Sequence, residues 1–378
     1  MNAGTLGSRL REARRDAGLS TRATAQRLKD LGHAVSHVTV SKYERNEFSP
    51  THDTLVALAS VLGKEPQWFE GTSPYLAGVR FRALKTMPVR EKTAFTQRAT
   101  PWLRLYVHVH DLLGRKVNSS LQVSAHPRDS GRALAKRLRD AYGLGDYPIP
   151  SVTRMLENAN VRVIQLETVN GIDAFAGLFG EHRVVVVNRR LPPDRIRLTL
   201  AHELGRVLFD DCTHERQVNE KDLESRAFEF ASYLLMPTRS LEEAFEIRSM
   251  VRLVQYKERF GISLAAMVYR AKRERLIPES MAQRLWREFS RLGWRRDEPG
   301  RVPTDDPVRM ETLVDSVLRQ KQATLTELSR VSGLTTEDIH ARILDAMRAS
   351  ELTNDDTNAP SFQISKYMDG GAFVGDES

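Results

Sequence analysis

Residues 199–211 read TLAHELGRVLFDD. They close the longer stretch LPPDRIRLTLAHELGRVLFD, which predicts a helix with Pro192 or Pro193 in its first turn. Two metal ligands at positions i and i+4 lie one turn apart on a helix face and can grip one ion. A glutamate beside the first ligand can polarise a bound water. His202 is the first ligand type and Glu203 the base, but the position four residues on holds Arg206. A guanidinium does not deprotonate in proteins and offers no lone pair to zinc. It brings a fixed positive charge to the place of a dication, and it can pair instead with Glu203 or Glu224.

The neighbouring segments predict a small sheet followed by two helices. VRVIQLE (161–167) and HRVVVVNRR (182–190) are β-branched strand runs, with IDAFAGLFG as a third strand between them. NEKDLESRAFEFASYLLMP is the second helix, closed by Pro237. A third ligand must come from another helix, and Glu224 of this one could supply it. Rescue from the following loop by Asp210, Asp211 or His214 is disfavoured: Asp210 lies two turns beyond His202, about 12 Å along the axis at the usual helical rise.

AHELGR and ESRAFEFASYLLMP together resemble the ImmA/IrrE family of metallopeptidases, whose pattern is an H-E-x-G-H helix followed by E-x-x-A-x-x-F-A-x-x-L-L-M-P. VVVVNRRLPPDRIRLTLAHEL fits the same family, where a strand ending in asparagine precedes the active helix. The resemblance implies a zincin-like domain, metal ligation by His202 and Glu224, and Glu203 as catalytic base. Arg206 departs from it, so the expectation is no cofactor, with Zn2+ bound only if another residue completes the site.

The 378 residues allow two or three domains, and 40% are hydrophobic, enough for real cores. No run of about 18 apolar residues is present, so no membrane span is expected. The single cysteine, Cys212, cannot form an internal disulfide, which points to a reducing cytoplasm. The net charge of +8 is uneven: residues 1–70 carry +2, 71–150 carry +9, and 151–378 carry −3. The basic excess follows the first domain, where a backbone-tracking surface beside a DNA reader would use it.

That first domain reads as short amphipathic helices. Leu6, Leu10 and Ala13 share a face. Ser20 caps a second helix with Ala25 and Leu28 inward, and Ser36 caps HVTVSKYERN. Ser49-Pro50 opens a fourth helix, THDTLVALASVLG, ended by Gly63. VSKYERNEFSPTHDTLVALASVLG resembles the end of an Xre-family (Cro-type) helix-turn-helix, with Asn46 where glycine is usual, a residue that tolerates left-handed backbone. The resemblance implies that Ser36, His37, Thr39 and Ser41 face bases or sugars, that Lys42 and Arg45 hold phosphates, and that Tyr43 and Glu44 fix the helix to its neighbours. It also implies a homodimer on two half-sites.

The remaining expectations concern organisation. SPYLAGVRFRALKTMPVREKTAF reads as a Pro-punctuated basic connector before a long helix, KTAFTQRATPWLRLYVHVHDLLG. FGISLAAMVYRA has a helix-turn-helix rhythm but in this family packs on the core. The expected class is mainly α with a small β-sheet (α+β): a λ-repressor-like helix-turn-helix (1–72), a basic helical connector (73–127), a metallopeptidase-like domain (128–300), a helical C-terminal unit (301–350) and a flexible tail (351–378). The favoured function is a transcriptional regulator that binds a double-stranded DNA operator and whose degenerate second domain senses a small-molecule effector or a protein partner. The alternatives are an active zinc metalloendopeptidase that cleaves a repressor, and an antitoxin-like protein that binds a toxin and autoregulates its operon.

Overall fold

A computed structural model describes residues 6–64, 66–70, 76–114, 123–126, 128–211, 219–247, 249–295 and 297–355. The chain divides into two compact units, 1–307 and 308–378. Among the described residues no helix is long and apolar enough to cross a membrane.

The first unit opens with α1 (Leu6–Asp16), α2 (Thr21–Asp30), α3 (His37–Glu44), α4 (His52–Leu62) and α5 (Pro66–Glu70). Leu10, Ala13, Ala25, Leu28, Val40, Leu55, Leu58 and Leu62 form their common core. Ser20 and Ser36 cap α2 and α3 by accepting bonds from the amides of Ala23 and Thr39. The fourth helix differs from expectation. Its cap is Thr51, whose hydroxyl accepts from the Thr54 amide, so Ser49-Pro50 lies outside it. Asn46 takes a left-handed backbone (φ 57), and its side-chain oxygen accepts the Gly7 amide at 2.8 Å, tying the end of α3 to α1. Glu44 is buried and bound by Arg14, with Nη2 3.0 Å from Oε2.

Residues 73–127, expected as a helical connector, begin differently. Leu76–Ala83 is a strand, β1, and the long helix α6 (Val89–Leu112) follows it. Phe81 and Arg82 alternate across the β1 pleat, and Phe81 packs 5.6 Å from Phe175, which also meets Phe95 of α6 at 5.2 Å. Burial of that aromatic face is what turns a basic segment into a strand. Next come α7 (Gly131–Ala141), α8 (Val152–Asn158), β2 (Val161–Leu166), β3 (Ile172–Phe179) and β4 (His182–Asn188). The sheet order is β1-β3-β4-β2, with β1 and β4 antiparallel to β3 and β2 parallel to β4. β1 therefore forms one edge.

Helices α9 (Pro193–Asp211) and α10 (Glu220–Leu235) pack beside the sheet, followed by α11 (Thr238–Glu246), α12 (Met250–Phe260), α13 (Leu264–Arg273) and α14 (Glu279–Arg291). A Cβ added at Gly205 would lie 2.7 Å from the Phe230 ring, so glycine is what lets α9 approach α10 this closely. The α12–α13 turn passes through Gly261 (φ 63), and Leu264, Met267, Val268 and Ala271 are core residues, so this helix pair packs inward as expected.

The stretch after α14 belongs to the same unit. Asp305 accepts from Ser151 Oγ (2.6 Å) and the Val152 amide (2.7 Å), capping α8, and pairs with Arg197 of α9 at 3.1 Å. A boundary at 300 cuts through these contacts; the unit ends after Pro307. The second unit holds α15 (Arg309–Arg319), α16 (Leu325–Ser332) and α17 (Thr336–Asp355), so helix continues past 350. Residues 356–378 lie outside the described residues.

Candidate functional site

Three elements meet at the helix quoted first. From α9 come His202, Glu203 and Arg206, all buried. From α10 come Glu220, Glu224 and Phe228, one turn apart in succession. From β1 come Arg80 and Arg82. His202 Nε2 lies 3.2 Å from Glu224 Oε2. Arg206 binds Glu224 through Nη1 and Glu220 Oε1 through Nη2, the latter at 2.7 Å. The structure thus brings His202 and Glu224 together, the two residues expected as ligands, and places the Arg206 guanidinium against the same carboxylate. Glu220 was not anticipated, though its spacing of four from Glu224 puts both on one face. Asp210 is in α9, with its side chain outside the described set; His214 and Cys212 lie outside the described residues.

Burial pushes His202 down to about 4; Glu203 opposes the shift, while Arg82, Arg206 and Arg80 deepen it. The imidazole is neutral at neutral pH, so its contact with Glu224 is a hydrogen-bonding one between a neutral ring and an anion. Phe228 sits between two partners. Its ring is 4.7 Å from that of His202 and 4.7 Å from the Arg82 guanidinium carbon. Arg82 also faces Asp173 at 3.5 Å, and Arg195 shares that carboxylate at 2.8 Å. Burial lowers Arg82, and the charges of Asp173 and Glu203 counter this.

This donor set does not fit zinc. Tetrahedral sites take thiolate, imidazole or carboxylate ligands. Here one imidazole and one carboxylate converge, and the carboxylate is already held by a buried guanidinium. Among the described residues no group of three His, Cys, Asp or Glu side chains is placed to hold a metal ion.

The residues expected to face DNA lie on or beside α3. Ser36 and His37 are exposed, as is Arg45; Thr39, Ser41 and Lys42 are half-buried. Ser36 Oγ is engaged as the α3 cap and lies 2.9 Å from Thr39 Oγ1. Arg45 Nη1 donates to Ser41 Oγ at 3.1 Å and Nε to Glu47 at 2.5 Å, both exposed contacts. The Lys42 ammonium lies 5.1 Å over the ring of Phe48, which is itself 59% exposed. Phe48 was not anticipated.

A helix-turn-helix bundle joined to a sheet-and-helix domain with a peptidase-like helix pair defines the class. Residues 10–69 match the family model described as Helix-turn-helix, and residues 156–272 match that described as IrrE N-terminal-like domain. The chain thus combines an Xre/Cro-type helix-turn-helix with an ImmA/IrrE-like domain. Over 64 residues it is 39% identical to the HTH-type transcriptional regulator DicA of Escherichia coli (strain K12), a stretch that is 17% of this chain and 44% of the relative. The match therefore spans less than half of that relative's length. The crystal structure of Bacillus thuringiensis PlcR in complex with the peptide PapR7 and DNA aligns over 94% of this chain and all of that one, at 12% identity and a TM-score of 0.18. A superposition that loose carries no argument.

Proposed function

We propose that this protein is a DNA-binding transcriptional regulator whose ImmA/IrrE-like domain senses a ligand or protein partner and does not hydrolyse peptides. The observation that carries the reading is the Arg206 side chain, buried on α9 and bonded to Glu224 and Glu220 where a metal ligand would stand. A guanidinium keeps a positive charge at this point but cannot lower the pKa of a water as a metal does. Glu203, the base of the resembling enzymes, then has no metal-bound water to act on. The helix-turn-helix supplies the DNA contact: Lys42 and Arg45 hold phosphates, and His37, with Ser36, Thr39 and Ser41, faces the groove. A homodimer matches such a reader to paired half-sites. A partner at the second domain would then alter operator affinity.

The test uses the intact chain and a duplex selected from a random-sequence DNA pool, with affinity read by fluorescence anisotropy. Lys42→Ala with Arg45→Ala should weaken binding across sequences and flatten the salt dependence. Glu224→Ala, at an exposed position of the second domain, should shift the operator affinity several-fold while leaving the reading helix untouched. Peptide cleavage by the parent that disappears in Glu203→Gln would make the protein a hydrolase and end this reading.

A further inference from the structure

The site built around Arg206 has a ligand chemistry of its own. We propose that it binds a carboxylate adjoining an apolar group, the chemistry of a peptide's C-terminal residue, with Arg206 as the anion's partner and Phe228 as the apolar one. The proposal rests on the sensor reading of the domain and names what is sensed.

Four observations carry it. First, the Arg206 side chain is 3% exposed while the carboxylates bonded to it are open to solvent, Glu224 at 43% and Glu220 at 65%. The buried cation is sealed only by acidic side chains at the surface. A carboxylate from outside can take the place of Glu220 on Nη2 with the number of ion pairs unchanged. The displaced Glu220 returns to water, and an ion pair with so exposed a partner is weakly held. Second, guanidinium N–H groups are left over. Arg206 Nε and Arg82 Nη1 are buried and have no acceptor among the described residues. A buried N–H without an acceptor is unfavourable, and a ligand oxygen relieves it.

Third, the aromatic is in the right place. Phe228 is 43% exposed, a high value for so large an apolar side chain, and it is flanked by His202 and Arg82. An apolar group against its exposed part would lie beside Glu224, one turn away on α10, and so near the Arg206 guanidinium bonded to that carboxylate, a fork that planar carboxylates favour. Fourth, the surrounding charge sets the size of the anion. Arg80, Arg82, Arg195 and Arg206 share the neighbourhood with Asp173, Glu203, Glu220 and Glu224. With one carboxylate displaced, the four guanidinium groups face the other three, so a single negative charge restores the balance and a phosphate dianion exceeds it by one.

The test uses the full chain with three probes: N-acetyl-L-phenylalanine, N-acetyl-L-phenylalaninamide and inorganic phosphate, with binding followed by ligand-observed NMR. The acid should bind, and the amide and phosphate should bind at least about tenfold more weakly, since a site with unpaired N–H groups rejects a ligand lacking the matching acceptor. Arg206→Met, similar in length and uncharged, should remove the preference for acid over amide. Phe228→Ala, at a half-exposed position that does not threaten the fold, should weaken the acid several-fold and leave the preference intact. Equal binding of acid and amide, tighter binding of phosphate, no binding of the acid, or an unchanged preference in Arg206→Met would each overturn the carboxylate assignment. None of those results touches the sensor reading, which is tested separately by operator affinity in Glu224→Ala and by peptide cleavage.

Discussion

Arg206 shows how much one side chain decides. Its neighbours keep the pattern of a metal helix: His202 is held neutral by burial, as a metal ligand must be, and Glu224 approaches it from the next helix. The guanidinium supplies the site's cation internally, at a point where an ion would need a third lone pair. The expected consequence of Arg206→His is sharp. It removes the competing charge and places a second imidazole one turn from the first, completing a His, His, Glu set of the kind zinc accepts. Metal content after desalting, read by plasma mass spectrometry, should be background in the parent and about one zinc per chain in Arg206→His. Zinc at about one per chain in the parent would show that the guanidinium does not stand in for the metal.

At the scale of elements, α9 is held by contacts that arrive from far along the chain. Asp305 is nearly sealed from solvent, with its side chain 2% exposed, and it serves the α8 N-terminus and Arg197 of α9 together. Removing one partner of a buried ion pair strands the other charge, at a cost of about 3–5 kcal/mol. Asp305→Ala should lower the urea midpoint accordingly. Asp305→Asn keeps an oxygen for the α8 cap and should lose about half as much. Equal midpoints for Asp305→Ala and the parent would mean that Arg197 finds water instead. Such contacts also mark the limit of what the sequence discloses. The caps Ser20 and Ser36, the left-handed Asn46 and Gly63, and the β-branched strands β2 and β4 were legible because each signal is local. Asp305 was not, since Ser151 lies 154 positions away. β1 was missed for the same reason: its partner β3 is remote, and arginines alternate with its apolar face. In the site, His202, Glu203 and Glu224 were legible from motif spacing. Arg80, Arg82 and Phe228 acquire their place only when β1 joins the sheet.

At the scale of the molecule, the DNA-reading bundle and the sheet meet at a titratable residue. Glu12 of α1 accepts the backbone amide of Leu76, the first residue of β1, whose later residues Arg80 and Arg82 flank the second site. Around it stand Asp16, Lys64 and Arg9; Lys64 pairs with Asp16 at 3.1 Å, and Arg9 donates to the Trp68 carbonyl at 2.5 Å. Burial, reinforced by the charge of Asp16, raises Glu12 from 4.5 to about 8, against the opposing pull of Lys64, the Leu76 amide and Arg9. The sign follows from linkage. Below about pH 4.5 folded and unfolded chains both carry the proton, and Glu12 adds no pH dependence. Between there and about pH 8 the unfolded chain releases the proton while the folded chain keeps it, so stability falls as pH rises, by at most about 1.4 kcal/mol per unit. Above about 8 both forms are ionised and the loss is complete. Glu12→Gln fixes the residue in its uncharged form. Thermal melts of the intact chain from pH 5 to 9 should therefore show the parent losing several degrees relative to Glu12→Gln, with the gap opening mainly between pH 5 and 8. Operator affinity should follow the same trend, because the helix that carries Glu12 also holds α3 through Arg14 and Glu44. Parallel melting curves for the two proteins across that range would show that the junction between reader and sheet does not titrate.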